Sequence, residues 1–228
     1  MNSSERLIVA LDRSDPVEIV ALADRLAGKV GYLKLGLQAF VANGPGLVRE
    51  IVKTGARVFL DLKLHDIPNT VAHAVEEASK LGVSMLTIHA AGGAAMMNAA
   101  ARAAGNDILL LAVTILTSLD QKQLAELGVE GGTTRAAVRL ANLAAASGIG
   151  GVVSSPLEIG AIRSECGKNL RIVTPGIRAA SDAPGDQTRT ATAREAIAAG
   201  ADYIVIGRPI TSAADPAAAV QAILATLD

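Results

Sequence analysis

The segment from Phe59 to Thr70 places two carboxylates and an ammonium group at the end of an apolar run. Side chains at positions i and i+2 of a β-strand point to the same face of a sheet, so Asp61 and Lys63 are predicted to project together. Asp66 follows at the point where the strand must give way to Pro68. Charges placed in this way would add little to folding, and we therefore interpret the segment as an active site.

A second lysine, Lys34, ends the preceding apolar run and is expected beside Lys63, with Asp61 and Asp66 close to both. Two ammonium and two carboxylate groups in one site form an alternating network, because each charge favours the ionised form of its opposite neighbour. A charged lysine of this kind suits the delivery of a proton to a carbanion. It suits a Schiff base poorly, since that chemistry needs a neutral amine.

Two other interpretations of these charges stay open. The cluster could be a structural set of ion pairs that fills the interior of the fold. A Mg²⁺ site formed by Asp12, Asp61 and Asp66 is a weaker alternative, because two nearby lysines compete with a cation. The sequence has no His-rich or Cys-rich spacing of the kind that binds zinc.

A second group of polar residues, near the C-terminus of the chain, is suited to binding phosphate. Gly207 permits close approach of the backbone to a ligand, and Arg208 offers a fork of donors that fits phosphate. Arg178 ends an earlier apolar run, and the loop Ala179–Arg189 that follows has the composition of a lid, within which Gln187 could reach a phosphate. The alternative is a surface loop with solvated arginines.

The elements that must position these residues are short β-rich runs separated by segments of helical composition. Asp15 and Pro16 predict the start of the first helix. The predicted strands are Leu7–Leu11, Tyr32–Leu35, Val58–Leu62, Met85–His89, Ile108–Val113, Gly151–Val153, Arg171–Thr174 and Tyr203–Ile206. Glycines fall shortly before most of them, where helix C-terminal caps are expected: Gly28, Gly55, Gly82, Gly105, Gly148, Gly167 and Gly200.

Eight strand–helix units in 228 residues predict an α/β fold, a single parallel (β/α)8 TIM barrel that forms one domain over residues 1–228. A doubly wound open sheet is the alternative fold. Reacting groups of such barrels lie at the C-terminal ends of the strands. Polar residues gather at those predicted ends, namely Asp12, Lys34, Asp61, Lys63, Asp66, His89, Thr117, Ser154, Arg178, Gly207 and Arg208. This distribution predicts an enzyme.

Composition and charge exclude several other classes of protein. The net charge of −1 and the lack of a basic block argue against nucleic-acid binding. No apolar run approaches the length of a membrane span, and the N-terminal residues lack a signal-peptide core. Cys166 is the single cysteine, which rules out an intramolecular disulfide and fits a reducing cytoplasm. We expect a cytoplasmic protein without nucleic-acid or membrane partners.

Over nearly its whole length the chain resembles the orotidine 5′-phosphate decarboxylase family. The Asp-x-Lys-x-x-Asp-Ile-Pro-Asn-Thr pattern at residues 61–70 is highly specific. Thr188 departs from the family, in which a basic residue often follows the glutamine, and solvent or Arg189 could supply that charge. The segments that carry the resemblance are Ala10–Asp12, Leu33–Gly36, Phe59–Thr70, Val113–Ser118, Thr174–Arg178, Asp186–Gln187 and Gly207–Ile210.

The resemblance implies decarboxylation of orotidine 5′-monophosphate to uridine 5′-monophosphate and carbon dioxide, the last step of pyrimidine synthesis, with no metal and no organic cofactor. By position, Lys63 would donate a proton to C6 of the pyrimidine, Asp61 would face the departing carboxylate, and Lys34 and Asp66 would complete the charge network.

The resemblance also implies binding roles and an assembly. Asp12 and Lys34 would bind the ribose hydroxyls, and Thr117 would contact the base. The residues that would hold the phosphate are Arg178, Gln187, Gly207 and Arg208. The residues that would reach into the site of a partner subunit are Asp66, Ile67 and Thr70. An obligate homodimer with shared active sites follows from that arrangement.

Two rival functions remain at this point. Sugar-phosphate decarboxylases and hexulose-phosphate synthases of the same superfamily share the Asp-x-Lys-x-x-Asp core but use Mg²⁺, and Gln187 and the segment Ile67–Thr70 argue against them. The other rival is a non-catalytic barrel that senses a phosphorylated ligand. His65 and His89 are expected to be structural or to lie behind the residues that touch substrate.

Overall fold

The computed structural model of the chain describes residues 1–178 and 189–227. Within these ranges the strands are β1 (Leu7–Ala10), β2 (Tyr32–Gly36), β3 (Val58–Leu64), β4 (Met85–His89), β5 (Leu109–Val113), β6 (Gly151–Val153), β7 (Arg171–Thr174) and β8 (Tyr203–Ile206). They pair in parallel in chain order, and β8 pairs with β1, so the sheet closes. The predicted (β/α)8 barrel is confirmed, and the open doubly wound sheet is wrong.

Helices surround the barrel and connect successive strands. They are α1 (Ser3–Arg6), α2 (Pro16–Leu26), α3 (Leu37–Lys53), α4 (Pro68–Ser79), α5 (Gly93–Ala104), α6 (Gln121–Glu126), α7 (Gly132–Ala146), α8 (Ile159–Cys166), α9 (Ala193–Ala199), α10 (Arg208–Thr211) and α11 (Pro216–Leu224). The predicted start at Asp15 and Pro16 is confirmed, because the Asp15 side chain accepts a hydrogen bond from the Val17 N–H and Pro16 opens α2. All seven predicted capping glycines have positive φ.

The apolar core is arranged in two layers. The inner layer fills the barrel with Ile8, Ala10, Tyr32, Phe59, Met85, Leu111, Val173, Tyr203 and Val205. The outer layer lies between strands and helices, and it includes the alternate residues of the same strands, such as Leu7 and Val9. Each large side chain buried in this way stabilises the fold by about 1.5–3 kcal/mol. Because side chains alternate along a strand, residues two positions beyond Phe59 and Met85 also face the interior.

Aromatic rings fill the interior at the N-terminal ends of the strands. The rings of Tyr32 and Tyr203 meet edge to face with centroids 5.6 Å apart, and the Arg57 guanidinium lies 4.4 Å from the Tyr32 centroid. Burial and the neighbouring Tyr32 raise the pKa of Tyr203 to about 12, so its phenol stays neutral. The polar side chains discussed below lie at the opposite, C-terminal mouth.

The pairing of β3 with β4 is irregular near that mouth. Leu60 pairs with Leu86, and the next pair is Leu64 with Ile88, so β3 uses more residues than β4 over the same span. Lys63 lies inside this irregular step with φ of 52°, and it is the one non-glycine residue with positive φ among those the structure describes.

In the same described ranges, no helix has both the length and the hydropathy needed to cross a membrane.

Candidate active site

A cavity of about 650 Å³ opens at the C-terminal mouth of the barrel. This size is typical of a site for a small ligand. The predicted site residues that line it are Asp12, Lys34, Asp61, Lys63, Thr117, Arg178, Gly207 and Arg208. They come from loops or strand ends at β1, β2, β3, β5, β7 and β8. The strand ends identified from the sequence therefore converge on one pocket.

Four charged side chains in the cavity form a row of alternating sign. Lys34 Nζ lies 2.9 Å from Asp12 Oδ1 and 3.6 Å from Asp61 Oδ2. Lys63 Nζ lies 2.9 Å from Asp61 Oδ1. The side chains of Asp61 and Lys34 are largely buried, at 14% and 10% exposed, whereas Lys63 is 31% exposed and lines the open cavity. The ammonium group of Lys63 is thus fixed and accessible to a ligand.

The carboxylate of Asp61 stays ionised despite its burial. Burial alone would raise its pKa, but attraction by Lys34 and then Lys63, together with hydrogen bonds from Lys63 and Thr87, outweighs that effect and lowers the pKa below its ordinary value. A negative charge at Asp61 is therefore present throughout the neutral pH range. It faces the same cavity as the Lys63 ammonium group.

Thr87 belongs to this arrangement, and the sequence reasoning missed it. Its hydroxyl accepts a hydrogen bond from the Lys63 backbone N–H at 2.8 Å and donates one to Asp61 Oδ1 at 2.9 Å. Thr87 is fully buried on β4, two residues beyond Met85 and thus on the interior face. A polar residue at an inward-facing position of a barrel strand is the signal that could have identified it.

Gly36 gives the charged row the space it needs. A Cβ atom at this position would lie 3.0 Å from both Asp12 Oδ1 and Lys34 Nζ. At this distance the ion pair would have to give way by a few tenths of an ångström, so the undisturbed pair requires the space left by the missing side chain where β2 ends. The requirement is one of space, since φ of Gly36 is −93°, a value that any residue adopts.

The predicted residues Asp66, Ile67 and Thr70 lie apart from the cavity of their own chain. Asp66 Oδ1 accepts a hydrogen bond from the adjacent Ile67 N–H at 2.6 Å, and among the described residues Asp66 forms no ion pair with Lys34 or Lys63. Ile67 is 67% exposed, and Thr70 is also exposed. Within one chain, the second carboxylate of the row is therefore Asp12 rather than the predicted Asp66.

The predicted phosphate-binding residues lie on the β7 and β8 side of the cavity. Arg178, Gly207 and Arg208 all line it, and Gly207 directly precedes the short helix α10. The backbone of Arg178 is fixed by a hydrogen bond from its N–H to the Ala191 carbonyl at 3.0 Å. Gln187, the remaining predicted member of this group, lies outside the described residues.

Arg189 has a different role from the one considered for it in the sequence analysis. Its guanidinium pairs with the fully buried carboxylate of Glu158 and donates to the Leu116 carbonyl at 2.9 Å. Glu158 also accepts a hydrogen bond from the Ser154 hydroxyl at 2.6 Å. Two nitrogens of the Arg189 guanidinium are thus paired inside the protein, where they link the loops that follow β5 and β6.

His65 and His89 stack on each other beside the charged row. Their ring centroids are 5.3 Å apart, with an angle of 22° between the planes. Burial lowers the pKa of His89, and the neighbouring His65 and Lys63 add to the effect, so His89 is neutral at neutral pH.

Among the described residues, no group of three or more His, Cys, Asp or Glu side chains is placed to hold a metal ion.

The model of the orotidine 5′-phosphate decarboxylase / HUMPS family matches residues 5–223 of the chain. The chain belongs to this family. Curated relatives extend over the full length: the orotidine 5′-phosphate decarboxylase of Anaeromyxobacter sp. (strain K) is 51% identical over 227 residues, with 100% of both chains covered. The enzyme of the same name from Moorella thermoacetica is 48% identical, with 100% of this chain and 94% of that protein covered.

A solved structure of a family member shares the barrel. The crystal structure of orotidine 5′-phosphate decarboxylase from Lactobacillus acidophilus superposes with a TM-score of 0.86 at 35% sequence identity, covering 97% of this chain and 98% of that chain. The likeness in fold thus extends over nearly the whole of both chains.

Proposed function

We propose that the chain converts orotidine 5′-monophosphate to uridine 5′-monophosphate and carbon dioxide, the last step of de novo UMP synthesis, as one catalytic domain over residues 1–228. The observation that carries the proposal is the row of Asp12, Lys34, Asp61 and Lys63 in the cavity, with the Lys63 ammonium group 2.9 Å from the Asp61 carboxylate. The full-length relatives named orotidine 5′-phosphate decarboxylase support the choice of substrate.

Lys63 is the proton donor in this mechanism. Loss of carbon dioxide breaks the bond between C6 and the carboxyl carbon and leaves the electron pair on C6, where the pyrimidine ring delocalises it poorly. The Lys63 ammonium group stabilises that charge as it develops and then transfers a proton to C6. Because Asp61 and the folded backbone already hold the ammonium group in place, little reorganisation is needed when the charge appears.

Asp61 acts on the group that departs. A carboxylate beside the substrate carboxylate repels it, and the repulsion disappears as neutral carbon dioxide leaves, so the interaction favours the transition state over the bound substrate. Two unit charges about 4 Å apart interact by roughly 4 kcal/mol at an effective dielectric constant near 20. Lys34 keeps Asp61 ionised and, with Asp12, binds the ribose hydroxyls.

The rest of the cavity binds the remainder of the nucleotide. Thr117 contacts the base, and Arg178, Gly207 and Arg208 hold the phosphate together with Gln187. Binding energy gained at a phosphate remote from C6 can be used to order the site around the reacting atoms. The positions of Arg178, Gly207 and Arg208 on the cavity wall support this assignment.

The active protein is a homodimer with shared sites in this proposal. Asp66, Ile67 and Thr70 are exposed and do not line the cavity of their own chain, and Asp66 lies outside the row of charges. In a dimer they enter the site of the partner subunit, where Asp66 adds a carboxylate next to Lys63.

The net charge of −1 and the single cysteine support a cytoplasmic enzyme that has a nucleotide substrate but no nucleic-acid or membrane partner.

An absorbance assay of the purified chain with orotidine 5′-monophosphate tests the function. Lys63→Ala is expected to lower kcat/KM by about 10²–10⁴-fold or more, because it removes both the proton donor and the stabilising charge. Lys80→Ala is the matched control: Lys80 is an exposed lysine that pairs with Glu77 on the surface, and its loss should leave activity unchanged.

The same assay separates the rival functions. Unaltered activity in Lys63→Ala would contradict the proposed proton donor. No turnover of orotidine 5′-monophosphate, together with turnover of a sugar phosphate that is lost in a chelator and restored by Mg²⁺, would favour a sugar-phosphate decarboxylase or hexulose-phosphate synthase. Tight binding of the nucleotide without any turnover would favour a ligand sensor.

A further inference from the structure

The backbone of Lys63 is held in an unfavourable conformation. Its φ of 52° lies in the left-handed region, where the Cβ of an L-residue crowds the backbone. Lys63 is neither a glycine nor an asparagine or aspartate, the residues that tolerate this region best. A conformation of this kind persists where surrounding contacts enforce it, and such residues concentrate at functional sites.

The irregular pairing of β3 with β4 changes the partner of the Lys63 backbone N–H. The N–H donates to the Thr87 hydroxyl at 2.8 Å, a side-chain acceptor within the irregular step between Leu64 and Leu60. A buried backbone N–H without an acceptor is costly, so this hydroxyl satisfies a group that the irregular step would leave unpaired.

The same hydroxyl also holds the carboxylate that the lysine side chain contacts. Thr87 donates its single hydroxyl proton to Asp61 Oδ1 at 2.9 Å, and that oxygen also lies 2.9 Å from Lys63 Nζ. Thr87 therefore closes a ring of contacts that runs from the Lys63 backbone through the hydroxyl and the Asp61 carboxylate to the Lys63 amine. Because Thr87 is fully buried, bulk solvent cannot take over its two hydrogen bonds.

We propose that Thr87 is a positioning residue that fixes the left-handed backbone of Lys63, so that the ammonium group is aimed at C6 and the Asp61 carboxylate at the departing carboxylate. The inference rests on the proposed function and deepens it. Thr87 is not itself a catalytic residue, since it lies behind Asp61 and does not belong to the described cavity lining. A loosely held lysine would still neutralise charge, but it would spend less time within reach of C6.

The test compares two substitutions that differ in one functional group. Thr87→Val keeps the shape of the side chain and removes both hydrogen bonds, whereas Thr87→Ser keeps the hydroxyl. Thr87→Val is expected to lower kcat by about 10- to 100-fold while the Kd for uridine 5′-monophosphate changes by less than about threefold. Thr87→Ser is expected to keep kcat within about threefold of the wild type, because its hydroxyl restores both contacts.

Thr114→Val is the control for loss of a buried hydroxyl as such. Thr114 is buried at the end of β5, and its hydroxyl donates to the Val153 carbonyl at 3.0 Å rather than to the charged row. We expect this variant to lose thermal stability to a similar degree as Thr87→Val while its kcat stays within about twofold of the wild type. A purely structural role for Thr87 would give the two valine variants the same kcat.

A wild-type kcat in Thr87→Val, or equal losses of kcat in Thr87→Val and Thr87→Ser, would overturn the inference. If Thr87→Val does not fold, Thr87→Ala serves in its place, because it also removes both hydrogen bonds, and wild-type kcat there would have the same meaning. Absence of turnover in the wild type would instead refute the proposed function, so the two failures are distinguishable.

Discussion

Asp61 is a largely buried carboxylate between two lysines, and its ionised state is both costly and necessary. Removing a charge from water carries a desolvation penalty, which neighbouring opposite charges offset only when the geometry is good. Here Lys34 lies 3.6 Å from Asp61 Oδ2, and both Lys63 and Thr87 contact Asp61 Oδ1 at 2.9 Å. Replacing either lysine removes a positive charge that compensates Asp61, and the effect of that substitution will exceed the loss of a single hydrogen bond.

A substitution at Gly36 tests directly whether the positions of Asp12 and Lys34 matter for activity. In Gly36→Ala the new methyl group would lie 3.0 Å from Asp12 Oδ1 and Lys34 Nζ, so the pair must shift away from it. Misplacement by about 1 Å in a preorganised site can lower activity by about 10²-fold, and because the shift needed here is only a few tenths of an ångström, we expect a smaller loss of kcat/KM, about two- to tenfold. Steady-state kinetics with orotidine 5′-monophosphate measures the change.

Gly46→Ala is the matched control for Gly36→Ala. Gly46 lies in α3, and a Cβ atom there would meet no heavy atom within 4 Å. An exposed helical glycine replaced by alanine gains about 0.5–1 kcal/mol of stability and should keep full activity. Equal activity in both variants would show that the Asp12–Lys34 pair tolerates displacement.

The secondary-structure elements themselves follow from local patterns. The predicted strands agree with the observed ones to within one or two residues: β3 continues to Leu64 instead of ending at Leu62, and β5 begins at Leu109 instead of Ile108. These elements are readable because apolar runs and capping glycines act over a few residues. The spacing of Asp61 and Lys63 likewise placed both side chains in one cavity, as the structure shows.

The parts that the sequence did not reveal depend on pairing between elements. The irregular step between β3 and β4, which places Thr87 under Lys63, is a matter of register and leaves no periodic signal in either strand. The pairing of Arg189 with Glu158 joins residues far apart in the chain, and only the closed barrel brings them together. Asp66 lies close to Lys63 in sequence, but in the turn before α4 its side chain accepts a hydrogen bond from the Ile67 N–H and does not join the row of charges.

The ion pair of Arg189 with Glu158 should contribute strongly to the free energy of unfolding, because it joins the loops that follow β5 and β6. Arg189→Leu would leave the fully buried Glu158 carboxylate without its countercharge, and breaking such a pair from one side costs about 3–5 kcal/mol. It would also free the Leu116 carbonyl, which precedes Thr117 in the loop after β5. We expect a lower free energy of unfolding in urea and a higher KM for the nucleotide.

Arg194→Leu provides the comparison for Arg189→Leu. Arg194 lies in the next helix, is exposed, and donates to the Thr226 carbonyl at 3.0 Å. Loss of an exposed contact of this type costs about 1 kcal/mol or less. If both leucine variants unfold at the same urea concentration, the buried pair does not brace the two loops as inferred.

In the whole molecule, three exposed residues that follow β3 do not line the cavity of their own chain. Asp66, Ile67 and Thr70 follow β3 directly and present an exposed isoleucine next to an exposed carboxylate. An apolar side chain that is 67% exposed gains stability when a partner covers it. A two-fold symmetric pairing that buries this surface would give each cavity the Asp66 of the other chain.

A mixture of two inactive variants tests whether the sites are shared. Lys63→Ala loses the proton donor and Asp66→Ala loses the carboxylate that the partner supplies, so each homodimer should be inactive. In a mixed dimer, one site combines the intact Lys63 of one chain with the intact Asp66 of the other. Random exchange at equal concentrations makes about half of the dimers mixed, each with one of two sites intact, so activity should recover to about a quarter of the wild-type value. Mass spectrometry of differently tagged chains confirms exchange, and exchange without recovered activity would mean that each chain completes its own site.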